Sequence, residues 1–490
     1  MKKTDVLFDL IHSLSKSEKR FIKLNARFHQ GDKAYLKLFD AIEKQKEYDE
    51  EALKVKFRNE KFVKQFSVVK NYLQQFILKQ LRNYNSESKA SIICQNLLID
   101  IEILYWKGQF TLVKKMIKKA EKLALKYQLY LALEELLNWS SRIDTAEVKI
   151  TQEKVKSIDK KHEHYMQRYE KIVAYKKLIN KTHFFIKQAE IIRTKEDKAQ
   201  IENLMNNPLL KSLDKNASYE EHYNFYMLNG VLNRLVGKQK ESGYYREKLL
   251  QFMEQHPHII EENTIRYLSA LHNLLMHSLV IKDYELYEHT LAKLKKLEAK
   301  TIREKAAIIE SLCLFELGYY NETKQFEKAV SFVNNFFLKQ PEILINQNKE
   351  HYFLVHYHAA LAYFNLNDFK NALNWINRVI NLTSKMVRVD IRAATNIINI
   401  LIHYELKNYL LIPYLIKSST EFLKTHHLTN DFDKKLLSIL SSLVKANNET
   451  DKIKILEKRI PELGVIDASK SIVNDIDTLN WLNQQLKALK

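Results

Sequence analysis

The residues able to do chemistry are few, and their spacing suits none of the common reactions. Histidines cluster twice. His351, His356 and His358 fall in one helical window, and His256 and His258 flank Pro257. On a helix, His351 and His358 share a face but sit two turns apart, too far for one metal ion, and His356 and His358 point to different faces. No cysteine or carboxylate completes either set, so these read as solvated or core-edge histidines, and neither a metal nor a cofactor is expected. Two cysteines, Cys94 and Cys313, are too few for a disulfide framework or a thiolate zinc site and read as buried free thiols. The chain has no Gly-x-x-x-x-Gly-Lys-Ser/Thr loop, no Gly-x-Gly-x-x-Gly turn and no His-Glu-x-x-His helix. Nothing in it announces catalysis, and an enzyme is not expected.

The basic residues suit a different chemistry, the neutralisation of a polyanion. The net charge is +20, from 79 Lys+Arg against 59 Asp+Glu. Residues 1–85 hold 19 basic and 11 acidic side chains, residues 86–200 hold 23 and 15, and residues 201–490 hold 37 and 33. The surplus therefore sits in the first 200 positions, where it would face nucleic acid or an acidic partner. A lysine-rich chain that is also rich in Ile, Asn and Tyr has a second explanation, genomic base composition alone. The sharpest candidates are Arg58, Lys61, Lys64, Lys79 and Arg82.

Those residues need helices to position them. Ser15-Lys-Ser-Glu18 has the form of a capping box opening a helix with Phe21, Leu24 and Phe28 on one face. A second helix is expected over Lys33–Lys46, a short third after Asp49, and a long fourth from about Lys61 to Asn83. In the fourth, Phe62, Phe66, Val69, Leu73, Phe76, Ile77 and Gln80 make one stripe. Lys61, Lys64, Val68, Asn71, Gln75, Lys79 and Arg82 make the opposite, acid-free one. A short helix, a turn at Arg58–Glu60 and a longer basic helix resemble a helix-turn-helix in outline. The preferred reading of the same residues is a small bundle capping a larger array, its outer face solvated by lysines.

The whole chain reads as helix. It has 490 residues but only 7 Gly and 5 Pro, where ordinary usage would give about 34 and 25. Sandwiches, barrels and doubly wound α/β folds need far more turn residues. Short breaks are expected at Gly31-Asp32, Asn83–Ser88, Asn206–Pro208, Asp214–Ser218, Gln255–His258, Gln340–Pro341, Asn447–Thr450 and Pro461–Gly464. Asp5 and Asp9 stand where a signal peptide needs its apolar run, and no stretch approaches the ~20 apolar residues of a membrane span. A cytoplasmic protein without a membrane partner is expected.

One window carries a family resemblance. Phe353–Ile380 resembles a tetratricopeptide (TPR) repeat, a helix–turn–helix of 34 residues. Ala360 takes the small position where the two helices approach, and Tyr363 follows three residues on. Leu366–Phe369 forms the turn, with Asn367 where the family usually has Gly; Asn tolerates a left-handed backbone. Ala372, Ile376 and Val379 fill the inner face of the second helix. His356 replaces the usual Trp and Ser384 the closing Pro. A second window matches at Phe326, Ala329, Val333, Phe336 and Pro341, with Asn321–Lys324 as a candidate lengthened turn. Fainter copies carry Phe110, Tyr245, Tyr284 and Tyr409. The aromatics at 284, 326, 369 and 409 recur at intervals of 42, 43 and 40.

The resemblance implies an all-α, TPR-like α-solenoid of antiparallel helix pairs of a bacterial type. The expected layout is a basic helical domain at 1–85, repeats over 86–460, and a capping helix within 461–490, amphipathic over Ile472–Leu489. In this family the first helix of each pair lines the concave groove, which places Leu354, Tyr357, Leu361, Phe364 and Asn365 on that lining. The alternative for Leu361 and Phe364 is packing against a neighbouring repeat. The leading expectation is a scaffold that holds a peptide or protein partner in this groove. The alternative is a nucleic-acid-binding regulator using residues 1–85, similar in outline to bacterial peptide sensors that join a helix-turn-helix to TPR-like repeats.

Overall fold

The computed structural model describes residues 5–28, 34–188, 195–340, 349–381 and 389–490. Those residues form 24 α-helices, a few 3₁₀ turns and no strand. The expected break at Gly31-Asp32, and Lys33, Pro341 and Ser384, lie outside the described residues, as does the side chain of Phe28. Among the described residues no helix is long and apolar enough to cross a membrane. The chain divides into two compact units. The first is Met1–Thr182, Asn206–Phe225 and His256–Glu262; the second is His183–Met205, Tyr226–Gln255 and Asn263–Lys490.

The first unit opens with α1 (Val6–Ser13), α2 (Lys16–Phe28), α3 (Ala34–Glu43), α4 (Glu50–Lys56) and α5 (Phe66–Tyr84). The capping box forms as read: Glu18 N–H donates to Ser15 Oγ at 3.2 Å, and Ser15 N–H to the Glu18 carboxylate at 2.7 Å. The basic helix starts later than its periodicity suggests, because Lys61–Gln65 is a 3₁₀ turn. Its apolar stripe is nevertheless the buried one. Phe62, Phe66, Leu73, Phe76, Ile77 and Gln80 are all buried, and α5 packs on α2 and α3. Helix α1 was hidden in the sequence by its two aspartates. Asp5 caps it by accepting from the Leu7 and Phe8 amides. Lys70 of α5 ties that cap to α4, reaching Asp5 at 2.6 Å and Glu50 at 3.0 Å. Next come α6 (Ala90–Trp106), α7 (Phe110–Lys126), α8 (Tyr130–Ala146) and the 37-residue α9 (Gln152–Gln188), with a second core on Ile101, Val113, Ala120 and Leu136.

The chain continues through α10 (Lys195–Met205), α11 (Tyr219–Leu235), α12 (Gln239–Glu254) and α13 (Pro257–Glu262). Sequential helix pairs then dominate the second unit. They are α14 (Thr264–Ile281) with α15 (Tyr284–Lys295), α16 (Ile302–Glu322) with α17 (Phe326–Asn335), and α18 (Lys349–Asn365) with α19 (Phe369–Ile380). Then follow α20 (Val389–Glu405) with α21 (Ile412–Thr425), α22 (Asp431–Lys445) with α23 (Glu449–Gly464), and a last helix α24 (Thr478–Leu489). Each helix packs on its sequence neighbour, and α14 also packs on α16, α16 on α18 and α18 on α20. Gly243 lets α12 approach α14: a Cβ there would come within 2.3 Å of His277 Nε2. Pro461 does not end α23, which runs three residues further. A proline inside a helix loses the bond to the carbonyl four residues back, here Glu457, and crowds it, which strains the helix without ending it.

The recurring aromatics mark a recurring turn. Two residues before each of them the backbone is left-handed, at Lys282, Lys324, Asn367 and Lys407, with φ between 57° and 60°. The next amide then reaches back five residues: Asp283 to Ser278, Gln325 to Tyr320, Asp368 to Tyr363 and Asn408 to His403, at 2.7–3.0 Å. This is the Schellman closure of a helix C-terminus. The window 321–324 is accordingly not a lengthened turn; α16 simply runs on, to 21 residues. Behind two of these turns the second helix buries residues three, seven and ten beyond the aromatic, Tyr287, Leu291 and Leu294 in one pair and Ala372, Ile376 and Val379 in another; in the other two Phe336 and Ile416 are half-buried.

The same left-handed corner occurs at Val148, φ 53°, between α8 and α9. A β-branched side chain is strained there, and this one is 90% exposed and packs on little. Val148→Gly is expected to stabilise the protein by about 1 kcal/mol, read as a higher urea midpoint. A lower midpoint would contradict this turn geometry.

Candidate functional site

Two clefts open on the first helices of the second unit. One lies at the starts of α14, α16 and α18 and holds about 540 Å³. Its floor is His272 stacked on His351, ring centroids 5.2 Å apart, with the buried Glu310 carboxylate 3.7 Å from His351 Nδ1. Arg303, Ser269 and Ser311 complete the lining. Burial, with smaller contributions from His351 and Arg246, pushes His272 down to about 3, so its ring is neutral. Ser269 gives its proton to the Ile265 carbonyl at 2.9 Å. The neutral His272 ring, the Glu310 carboxylate and Arg303 give the cleft groups able to hydrogen-bond amides.

The larger cleft lies at the other ends of the same helices and holds about 1010 Å³. Leu279, Val280 and Lys282 come from α14 and its turn, Asn321 and Lys324 from the end of α16, and Phe364, Asn365 and Asn367 from α18. Val280 is 61% exposed. The remaining wall is the segment after α23: Asn474, Asp475, Asp477, Asn480 and Gln484. Apolar floor, amide sides, two lysines and the carboxylates of Glu322, Asp475 and Asp477 make a surface able to hold a polypeptide by packing and side-chain hydrogen bonds.

Of the groove residues expected from sequence, two reach this cleft. Asn365 is half-buried, its amide donating to the Leu361 carbonyl at 2.9 Å. Phe364 shows the cleft one edge and is otherwise buried. The others are placed differently from open lining. Leu361 is 1% exposed and belongs to the core, and Leu354 packs against that core. Tyr357 is 3% exposed, its hydroxyl donating to Asp475 Oδ2 at 2.8 Å. The physical reason is that α18 packs against α16, α17, α19 and α20, while the segment after α23 covers the turn bearing Tyr357. That segment is the part of the candidate site that sequence reasoning missed. Its signal was available in Asp477, which caps α24 at Thr478 and so turns the expected helix start at Ile472 into a loop.

The remaining histidines are spread rather than gathered. His356 is buried against Tyr352, Phe337 and Trp375. His258 meets Tyr127 edge-on, and His256 meets Tyr219. Among the described residues no group of three His, Cys, Asp or Glu stands where it could hold a metal ion. Both cysteines are buried, and burial raises both thiols, leaving them poor nucleophiles. Burial also pushes His356 down to about 4 from an ordinary 6.5. A histidine depressed in the folded state gives stability that is whole above pH 6.5 and lost as pH falls towards 4, by about 1.4 kcal/mol per pH unit. The thermal midpoint should therefore fall between pH 6.5 and 4.5, and fall less in His356→Leu. Equal slopes would contradict this burial.

In the first unit, Arg58, Lys61, Lys64, Lys79 and Arg82 are all exposed, and no ion pair engages them among the described residues. Val68 and Tyr72 stand exposed on the same face of α5, at 61% and 52%. No protein-family model matches the chain, and no curated protein matches it.

Proposed function

We propose that the protein is a cytoplasmic, TPR-like interaction scaffold whose partner face is formed by α14, α16 and α18 of the second unit. The cleft of about 1010 Å³ at the ends of these helices carries this reading. It is long enough to touch three successive first helices, apolar at Leu279, Val280 and Phe364, and rimmed by asparagines with Lys282, Lys324, Glu322, Asp475 and Asp477, Lys282 lying 3.6 Å from Glu322. That composition suits a polypeptide held by apolar packing and side-chain hydrogen bonds. The test is selection of binders from a random peptide library with the full chain, repeated with Lys282→Glu, Lys324→Glu and Asn365→Ala combined. Selected peptides should lose at least about tenfold in affinity, roughly 1.4 kcal/mol. Peptides indifferent to the triple change would refute the assignment.

A second reading is supported by the first unit. Five exposed cations that make no ion pair among the described residues lie along α5 and the turn before it, with the exposed Asn71, Gln75 and Tyr72 of α5, a composition suited to phosphates and bases. Lys61→Glu, Lys64→Glu and Arg82→Glu together should abolish binding to duplex DNA or structured RNA and flatten its salt dependence. Unchanged affinity would dismiss this surface.

A further inference from the structure

After α23 the alternation of helix pairs stops. The chain makes a 3₁₀ turn at Ala468–Lys470, passes through a second turn and forms α24. Helix α24 packs on α23 as earlier helices pack on their neighbours, but the stretch does more than stack. It crosses three earlier first helices, and each supplies a polar anchor. Asp433 of α22, fully buried, accepts the Ser471 hydroxyl at 2.6 Å and the Ile472 amide at 3.0 Å. Tyr357 of α18 donates to Asp475. Glu405 of α20 accepts from Trp481 Nε1 at 2.5 Å and from Gln485 at 2.7 Å. Between the anchors Val473, Ile476, Trp481 and Leu482 enter the core shared by these helices. Asp475 and Asp477 stay outside, on the wall of the cleft that Lys282 and Lys324 also line.

The chemistry is that of a ligand on a receptor. This face presents the fully buried Asp433 carboxylate, the half-buried Glu405 carboxylate and the buried Tyr357 phenol, which only donors or acceptors at matched positions can satisfy. Such anchors confer sequence specificity, and another segment with the same groups replaces them one for one. We infer that residues 466–490 are an intramolecular ligand of this face, displaced by a partner segment of the same chemistry: a short acidic turn leading into an amphipathic helix with a tryptophan on its apolar side. The inference rests on the partner-face reading and extends it. The partner's acidic turn enters at the open cleft, beside Lys282 and Lys324, and its helix takes the place of α24.

The test uses a fluorescent peptide of residues 466–490, titrated into the full chain and into the full chain carrying Trp481→Ala and Leu482→Ala. Peptide should bind the variant at least about tenfold more tightly than the wild type, whose face is already occupied. The same peptide with its own tryptophan replaced by alanine should bind neither. Failure to bind a variant that keeps its helical circular dichroism overturns the proposal, since the segment is then a permanent part of the fold. If the variant loses its helical signal, hydrogen exchange of the wild type decides. Amides of 472–489 exchanging at least about tenfold faster than those of α20 and α22 support the proposal; exchange at the same rate overturns it. The partner-face reading fails separately. Library peptides that ignore Lys282, Lys324 and Asn365 strike that reading, whereas cleft-dependent peptides with no binding of 466–490 strike only the intramolecular ligand.

Discussion

Replacing Asp433 by alanine is expected to loosen the last 20 residues of the chain by about 2–4 kcal/mol while leaving the helix pairs folded. The carboxylate is fully buried and accepts from Ser471 Oγ, Ile472 N–H and Asn430 Nδ2, three donors that alanine would leave without an acceptor. Hydrogen bonds to a charged group contribute about 1.5–3 kcal/mol each, and stranded buried donors add their own desolvation cost. The loss is local, because Ser471 and Ile472 belong to the segment and not to a helix pair. Amide exchange of 472–489 should rise by about a hundredfold or more with little change over α16–α19. Asp433→Asn keeps one acceptor oxygen and should show a smaller rise. Uniform acceleration across the second unit would mean that Asp433 supports the whole array.

The second large effect belongs to the first unit. Arg168 of α9 reaches Glu221 at 3.1 Å, and Glu221 is 2% exposed. The same carboxylate accepts the Ser218 amide at 2.8 Å at the start of α11, so one acid both caps a helix and pairs a buried guanidinium. Arg168→Ala leaves that charge with only Lys171, 3.6 Å away, and should cost about 3–5 kcal/mol. The double change Arg168→Met with Glu221→Gln should recover part of the loss, because it is the uncompensated charge that is expensive. Urea unfolding measures both. A single change costing under about 1 kcal/mol would place the pair in the class of exposed ion pairs.

Much of this architecture was legible residue by residue. The helical class followed from the scarcity of glycine and proline. The Ser15–Glu18 capping box and the buried stripe of α5 form as their spacing predicts. Asn367 was readable as a left-handed turn residue because asparagine has a known tolerance for it. Lys282, Lys324 and Lys407 adopt the same conformation with no such signature, so only the recurring aromatics betrayed those turns. The candidate site was less legible. A periodicity of 3.6 says which side of α18 is apolar, and α18 is apolar nearly all round; it cannot say which apolar side meets solvent. Tyr357 and Leu361 are buried by contacts more than a hundred residues away in sequence or from both flanking pairs, which local spacing does not encode. The anchors Asp433 and Glu405 look like ordinary exposed acids in the sequence and become informative only with Ser471 and Trp481 beside them.

The central claim is that the ends of α14, α16 and α18 hold a polypeptide. Hydrogen exchange of the full chain, with and without a saturating library-selected peptide, tests it most directly. Protection is expected in fragments covering 279–282, 321–326 and 364–367, with faster exchange over 472–489 as the intramolecular segment is displaced. Protection confined to residues 58–82, or spread evenly along the chain, would contradict it.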